Sequence, residues 1–221
     1  MPEKRRFKPR QRLSGVRDPK LIIIATEGAC TEGIYFEDMA SPAYFYNPRV
    51  HVEILRREET RSAPEDVLQS LDDFYRQYRL KAQDELWIVL DRDRWGDAKL
   101  GQIAKLCDQK GYAMAVSHPC FELWLLLHLK ALDEYPVETL DEFRENRKAG
   151  SRTRLEHELV VLLGEYNKAA PRTEHFLPYV AAAIERAREL DIHPEDRWPQ
   201  DLGTRVYLLA EHIMDREPRV A

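Results

Sequence analysis

"ELWIVLDRD", residues 85–93, is the stretch on which the reading of this chain turns. Five apolar residues in a row, two of them β-branched, describe a strand buried on both faces. The run then breaks into Asp91, Arg92, Asp93 and Arg94. Packing alone does not call for two acids one residue apart at a strand tip. In extended backbone, residues i and i+2 point to the same side, so Asp91 and Asp93 face one spot.

Working outward, "KLIIIAT" (20–26) has the same buried-strand character, and "RVHVEIL" (49–55) and "YAMAVS" (112–117) complete four strands. Helices are expected between them. One begins within "TEGIYFEDMA", and a second covers 63–80 with Pro64 in its first turn. The apolar stripe of that second helix runs Val67, Leu68, Leu71, Phe74, Tyr75, Tyr78. A third follows Asp97 as its cap and stops at Gly111. From Pro119 onward the pattern is helical: 119–130, 138–148, 152–167, about 176–190 and 203–216. Alternating strands and helices predict an α/β fold with a mostly parallel four-stranded sheet, flanked by helices and followed by a helical C-terminal portion. The expected organisation is a disordered basic arm over 1–19, an α/β domain over 20–118, and a helical portion over 119–221 packed on it.

The 221 residues are 43% hydrophobic, enough for one substantial core. No apolar run, Trp124 to Leu127 within "FELWLLLHL" included, approaches the roughly 18 residues of a membrane span. Residues 1–20 hold no apolar signal core, and the three cysteines form no CxxC pair. A soluble protein of the reducing cytoplasm is expected. Net charge is −5, yet residues 1–20 carry eight Lys/Arg against Glu3 and Asp18. That arm either neutralises phosphates or serves as a solvated tail.

In open parallel sheets, ligands sit beyond the carboxyl ends of the strands. The first strand ends "IIIATEG", with Glu27 just past its tip. If the first and third strands are neighbours, Glu27 joins Asp91 and Asp93 on one edge. Three converging carboxylates repel one another, and a divalent cation relieves that repulsion. All-oxygen ligation suits Mg²⁺ or Mn²⁺ and not Zn²⁺. The plain alternative is a turn cap at Glu27 and surface pairs of Asp91 and Asp93 with Arg92 and Arg94.

An E-G after the first strand with D-x-D after the third resembles the Toprim module of topoisomerases, bacterial primases and several nucleases. With flanking residues included, "IIIATEGACTEGIYFE" (22–37) and "SHPCFELWLLLHL" (117–129) resemble RloB-like proteins. "DLGTRVYLLAEHI" (201–213) is a fainter match to that family's closing segment, which usually begins N-P-S-T. His118 departs from the Asn of the family's pattern. The resemblance implies a Toprim-like fold, a divalent-metal-dependent nuclease acting on RNA such as tRNA or on DNA, and a role in antiphage defence. It implies Glu27, Asp91 and Asp93 as ligands of Mg²⁺ or Mn²⁺, and a regulatory or defence-system partner protein.

It also draws Glu32, His118 and Glu122 toward the same pocket. Glu32 reads as an extra ligand or general base, or as an exposed acid at a helix N-terminus. His118 reads as a proton shuttle or phosphate holder, or as a cap for the helix that follows. Glu122 is either favoured by the helix dipole or a buried acid in want of a partner. Trp124 and His128 read as core and surface. For substrate, Arg92 and Arg94 flank the acids, with Asp97 and Glu85 as alternative partners. "RENRKAGSRTR" (144–154) offers Arg147, Lys148, Arg152 and Arg154 as a phosphate-tracking loop or an ordinary helix–helix link. Two other readings stay open: a non-catalytic Toprim module binding nucleic acid, a nucleotide signal or a protein, and a nucleotidyl transferase.

Overall fold

The structure, a computed structural model, describes residues 19–28, 30–55, 63–93 and 95–214. Apart from Pro19, the basic arm lies outside the described residues. Strand β1 (Lys20–Thr26) leads to helix α1 (Thr31–Met39), then β2 (Val50–Leu55), α2 (Pro64–Gln77), β3 (Glu85–Asp91), α3 (Asp97–Lys110) and β4 (Ala113–His118). Six further helices or strands follow: α4 (Phe121–Leu129), α5 (Val137–Glu145), α6 (Arg154–Leu163), α7 (Val180–Leu190), β5 (Gly203–Thr204) and, last, α8 (Val206–Met214). The sheet order is β2-β1-β3-β4-β5, parallel throughout except for the antiparallel β4–β5 pair. None of the described helices is long and apolar enough to cross a membrane.

Strand alternation divides the core into two layers. Ile22, Ile24, Trp87 and Val89 face α1, α4 and the later helices. Ile23, Ala25, Ile88 and Leu90 face α2 and α3. The first layer also takes in Leu125, Phe143, Ile184 and Leu209, so the late helices and the sheet share one apolar cluster. Helix α4 is apolar on every side, and all of Phe121 to His128 is buried. A helix of that kind belongs at the centre of a fold, not on its surface. Truncating Leu123 or Leu126 there costs about 2–5 kcal/mol.

Several expectations change. The sheet has five strands, not four: Gly203 and Thr204, read as the start of a helix, pair with His118 and Ser117 instead. The Ser117 and Thr204 hydroxyls bond at 2.8 Å, and α8 starts only at Val206. Asp97 is the first residue of α3 and not its cap; its carboxylate takes Arg92 at 3.1 Å. The helix does stop at Gly111, left-handed at φ 71°. On α2 the apolar stripe narrows to Val67, Leu68 and Leu71, with Tyr75 and Tyr78 exposed. Helix α6 starts late, at Arg154, because Thr153 caps it through the Glu156 backbone N–H while Glu156 reaches back to the Thr153 N–H.

His128, read as a surface residue, is buried. Its Nδ1–H donates to the Trp124 carbonyl (2.8 Å), so Nε2 accepts from the Tyr35 hydroxyl (2.9 Å). Burial pushes its pKa down to about 3, and the ring is a neutral core group.

Candidate active site

Parallel pairing sets the register that gathers the acids. Thr26 lies opposite Val89, and Asp91 opposite Ser117. One residue beyond β1, the Glu27 N–H still donates to the Val89 carbonyl (3.0 Å). From there Glu27 Oε2 accepts from the Asp91 backbone N–H (3.2 Å) and the Trp95 indole (3.0 Å). Asp91 Oδ1 accepts from the Phe121 N–H (2.8 Å) at the start of α4, where the helix dipole favours negative charge. The Asp93 N–H donates to the Pro119 carbonyl (3.0 Å), which fixes the chain beside α4.

Two more acids arrive on helix first turns. Glu32 on α1 accepts from the Gly28 N–H (3.1 Å) through Oε1. Glu122 on α4 accepts from Lys168 Nζ (2.8 Å) and the Tyr166 hydroxyl (3.2 Å) through Oε1. Both are almost wholly buried, and the Oε2 atom of each has no hydrogen-bond partner. Glu32 is therefore not the exposed helix-terminal acid of the simpler reading. These five carboxylates and that of Glu156, from the first turn of α6, line one cavity of about 440 Å³, with Lys148 and Lys168 as its cations.

Such crowding disfavours ionisation. Burial pushes the Asp91 carboxyl well up, and the charges of Glu32, Glu122 and Glu27 push it further, against Lys168. Glu32 is raised by burial and then by Glu122, partly offset by its own N–H, Lys168 and the Gly28 N–H. Burial works against charge on Lys168, but Glu122 outweighs it and holds the ammonium protonated far above its ordinary range.

The donor chemistry fits a hard divalent cation: carboxylate oxygens as the donors, the one thiol of the lining, Cys120, kept protonated by burial, an excess of negative charge, and two buried carboxylate oxygens without partners. The acids share a cavity without yet forming a finished cage. Among the described residues, no three His, Cys, Asp or Glu side chains stand grouped to hold an ion.

Other candidates lie elsewhere, for a reason of parity. Along β3 and its extension, Asp91 and Asp93 fall on the α4 side, while Arg92 falls on the α2–α3 side. Arg92 donates to the Pro199 and Gln200 carbonyls (2.9 and 3.1 Å) and to Asp97, the structural alternative. Of its two alternative acids, Glu85 is instead bound by Lys20 and His212. His118, one residue past Ser117, shares the Arg92 side and does not line the acidic cavity. Its charged neighbours are Asp201, Arg92 and Arg144, and burial lowers its pKa. Arg94 lies outside the described residues.

The 144–154 loop divides. Arg144 pairs with Asp201 and Asp141, Arg147 with Glu145, and Arg154 with Glu142 and Glu158. Lys148 reaches the acidic cavity, and Arg152 lines a neighbouring one. Neither has an ion-pair partner among the described residues. They flank a tight hairpin in which Ala149 and Arg152 bridge and Gly150 takes φ 66°. Asn146 anchors it: Oδ1 accepts from the Leu155 N–H (3.0 Å) and Nδ2 donates to Cys120 Sγ (3.2 Å), just before α4. Sequence reasoning missed Asn146, Tyr166, Glu156 and Lys168. The polar stretch 164–172 that carries Tyr166 and Lys168 offers no motif, and only the fold brings it back to Glu122.

No curated protein and no solved structure matches this chain. A family model does, that of the RloB-like protein, over residues 22–213. With most of its length covered by that match, the chain belongs to the RloB-like family.

Proposed function

We propose that this chain is a divalent-metal-dependent nuclease that hydrolyses phosphodiester bonds of nucleic acid. The single observation that carries the reading is six carboxylates from two strand tips and three helix starts lining one cavity beside a lysine held charged. Family membership supports it, as does the Toprim-like pattern of Glu27 with Asp91 and Asp93. Those three residues would hold Mg²⁺ or Mn²⁺. Bound there, the cation supplies charge neutralisation and an activated water.

The chain's own groups do the rest. Glu32 and Glu122 each keep an unpartnered Oε2 in the cavity. Burial raises the Glu32 pKa above the ordinary glutamate range, which suits a group that takes and returns a proton. His118 is not placed for that task. Lys168 and Lys148 present ammonium groups to an anionic phosphate, which the surrounding acids would otherwise repel. Defence against phage in the cytoplasm, with a partner protein restraining the activity, is the role the family resemblance supplies.

The test is cleavage of total tRNA, plasmid and single-stranded DNA by the purified chain with Mg²⁺ or Mn²⁺, and with EDTA. Product that needs the metal and disappears in Asp91→Ala supports the reading. Binding without product under every condition favours a non-catalytic module.

A further inference from the structure

The acidic cavity has a larger neighbour. About 680 Å³ in volume, it lies against α6 and the 164–176 segment, and it shares Ser151, Glu156 and Lys168 with the acidic cavity. Its lining is of two kinds. Val160, Leu163 and Phe176 make an apolar wall, and Arg152 and Arg172 contribute guanidinium groups near His175. Arg172 is held in place by Glu165 and Glu174. Arg152, exposed at the hairpin, has no ion-pair partner among the described residues.

A flat, weakly polar ring with an anion attached matches this division. The volume falls within the roughly 300–1,000 Å³ of small-ligand sites. A base stacked and paired in a duplex cannot enter such a cavity; it must be unpaired or extruded. Lys168 stands in the wall common to both cavities, 2.8 Å from Glu122 and 3.6 Å from Glu156. A phosphate beside it borders both cavities. We infer that this second cavity holds an unpaired nucleotide of a single-stranded nucleic acid, with Lys168 on the phosphate that joins it to the cleavage site. The inference rests on the nuclease reading for its cleavage site, but the binding it asserts can be measured alone.

The experiment is fluorescence anisotropy with the full chain in EDTA. The probes are labelled single-stranded RNA and DNA of about eight nucleotides, the matching blunt duplexes, and nucleoside monophosphates as competitors. Single strands are expected to bind at least about tenfold tighter than duplexes. Arg152→Glu and the cavity-filling Leu163→Trp should each weaken single-strand binding about tenfold or more, with unchanged melting curves. The Arg152 variant should also flatten the salt dependence. Equal binding of duplex and single strand overturns the inference. So does unchanged binding by both variants, or a monophosphate that binds as tightly as the oligonucleotide, which would make this a free-nucleotide site. Single-strand binding that survives while no metal yields product overturns the nuclease reading and leaves this cavity's assignment intact.

Discussion

Strand β3 begins with Glu85 and ends with Asp91, and the two acids have opposite surroundings. At the start, Lys20, His212 and Trp87 all donate to Glu85, the last two at 2.7 and 2.9 Å. Burial raises its pKa, but those donors outweigh burial and bring it down to about 2. At the end, Asp91 has one backbone N–H from Phe121 and three carboxylates within electrostatic reach. The first arrangement stabilises the folded chain by keeping an acid charged. The second places charge where folding alone gains nothing from it. Perturbed, poorly compensated acids at a sheet's carboxyl edge are what a ligand site needs, and complete neutralisation is what a structural site needs.

That contrast breaks most visibly if Asp91→Ala is catalytically silent. On the nuclease reading it lowers the cleavage rate by at least about 10³-fold with the melting temperature held or raised; gel assays and calorimetry measure both. Next in size, Lys168→Ala leaves Glu122 without its cation, and a drop of about 10²-fold in cleavage with a loss of about 1–3 kcal/mol is expected. A Lys168→Ala enzyme of full activity would remove the lysine from the chemistry. Third, Asp91→Asn keeps the shape and removes the repelled charge. In EDTA it should stabilise the chain by about 1–2 kcal/mol, a melting temperature a few degrees higher. Destabilisation would mean that the acid is compensated after all.

The smallest effect belongs to the other end. The folded Glu85 pKa lies below the unfolded value of 4.5. Its contribution is therefore present above pH 4.5 and is lost as pH falls from there toward about 2. Glu85→Gln should remove this acid-limb dependence from urea titrations at a cost under about 1 kcal/mol near neutrality, since the side chain is partly solvated. An unchanged acid limb would place that dependence on other groups.

The sheet was legible because β1 and β3 are unbroken apolar runs, which few other structures tolerate. The convergence of Glu27 and Asp91 followed from one geometric condition, adjacent strands, and the β1–β3 pairing meets it. What escaped depended on distant partners. Thr204 is a strand residue only because Ser117 offers a hydroxyl and a backbone to pair with. Lys168 joins the site across 46 residues, through a contact with Glu122 that no local pattern encodes. His118 was misplaced because chain proximity to the edge was read without asking which side of β4 it occupies. His128 looked like a polar end to an apolar helix until Tyr35 and the Trp124 carbonyl took both of its nitrogens.

The indole of Trp95 donates its hydrogen bond to Glu27 Oε2, while the other three tryptophans are buried in the core. Whatever recruits that oxygen competes with an intrinsic fluorophore at the water boundary. The molecule thus carries its own optical titration: emission from one half-exposed ring reports occupancy of Glu27, with no dye, label or substrate required.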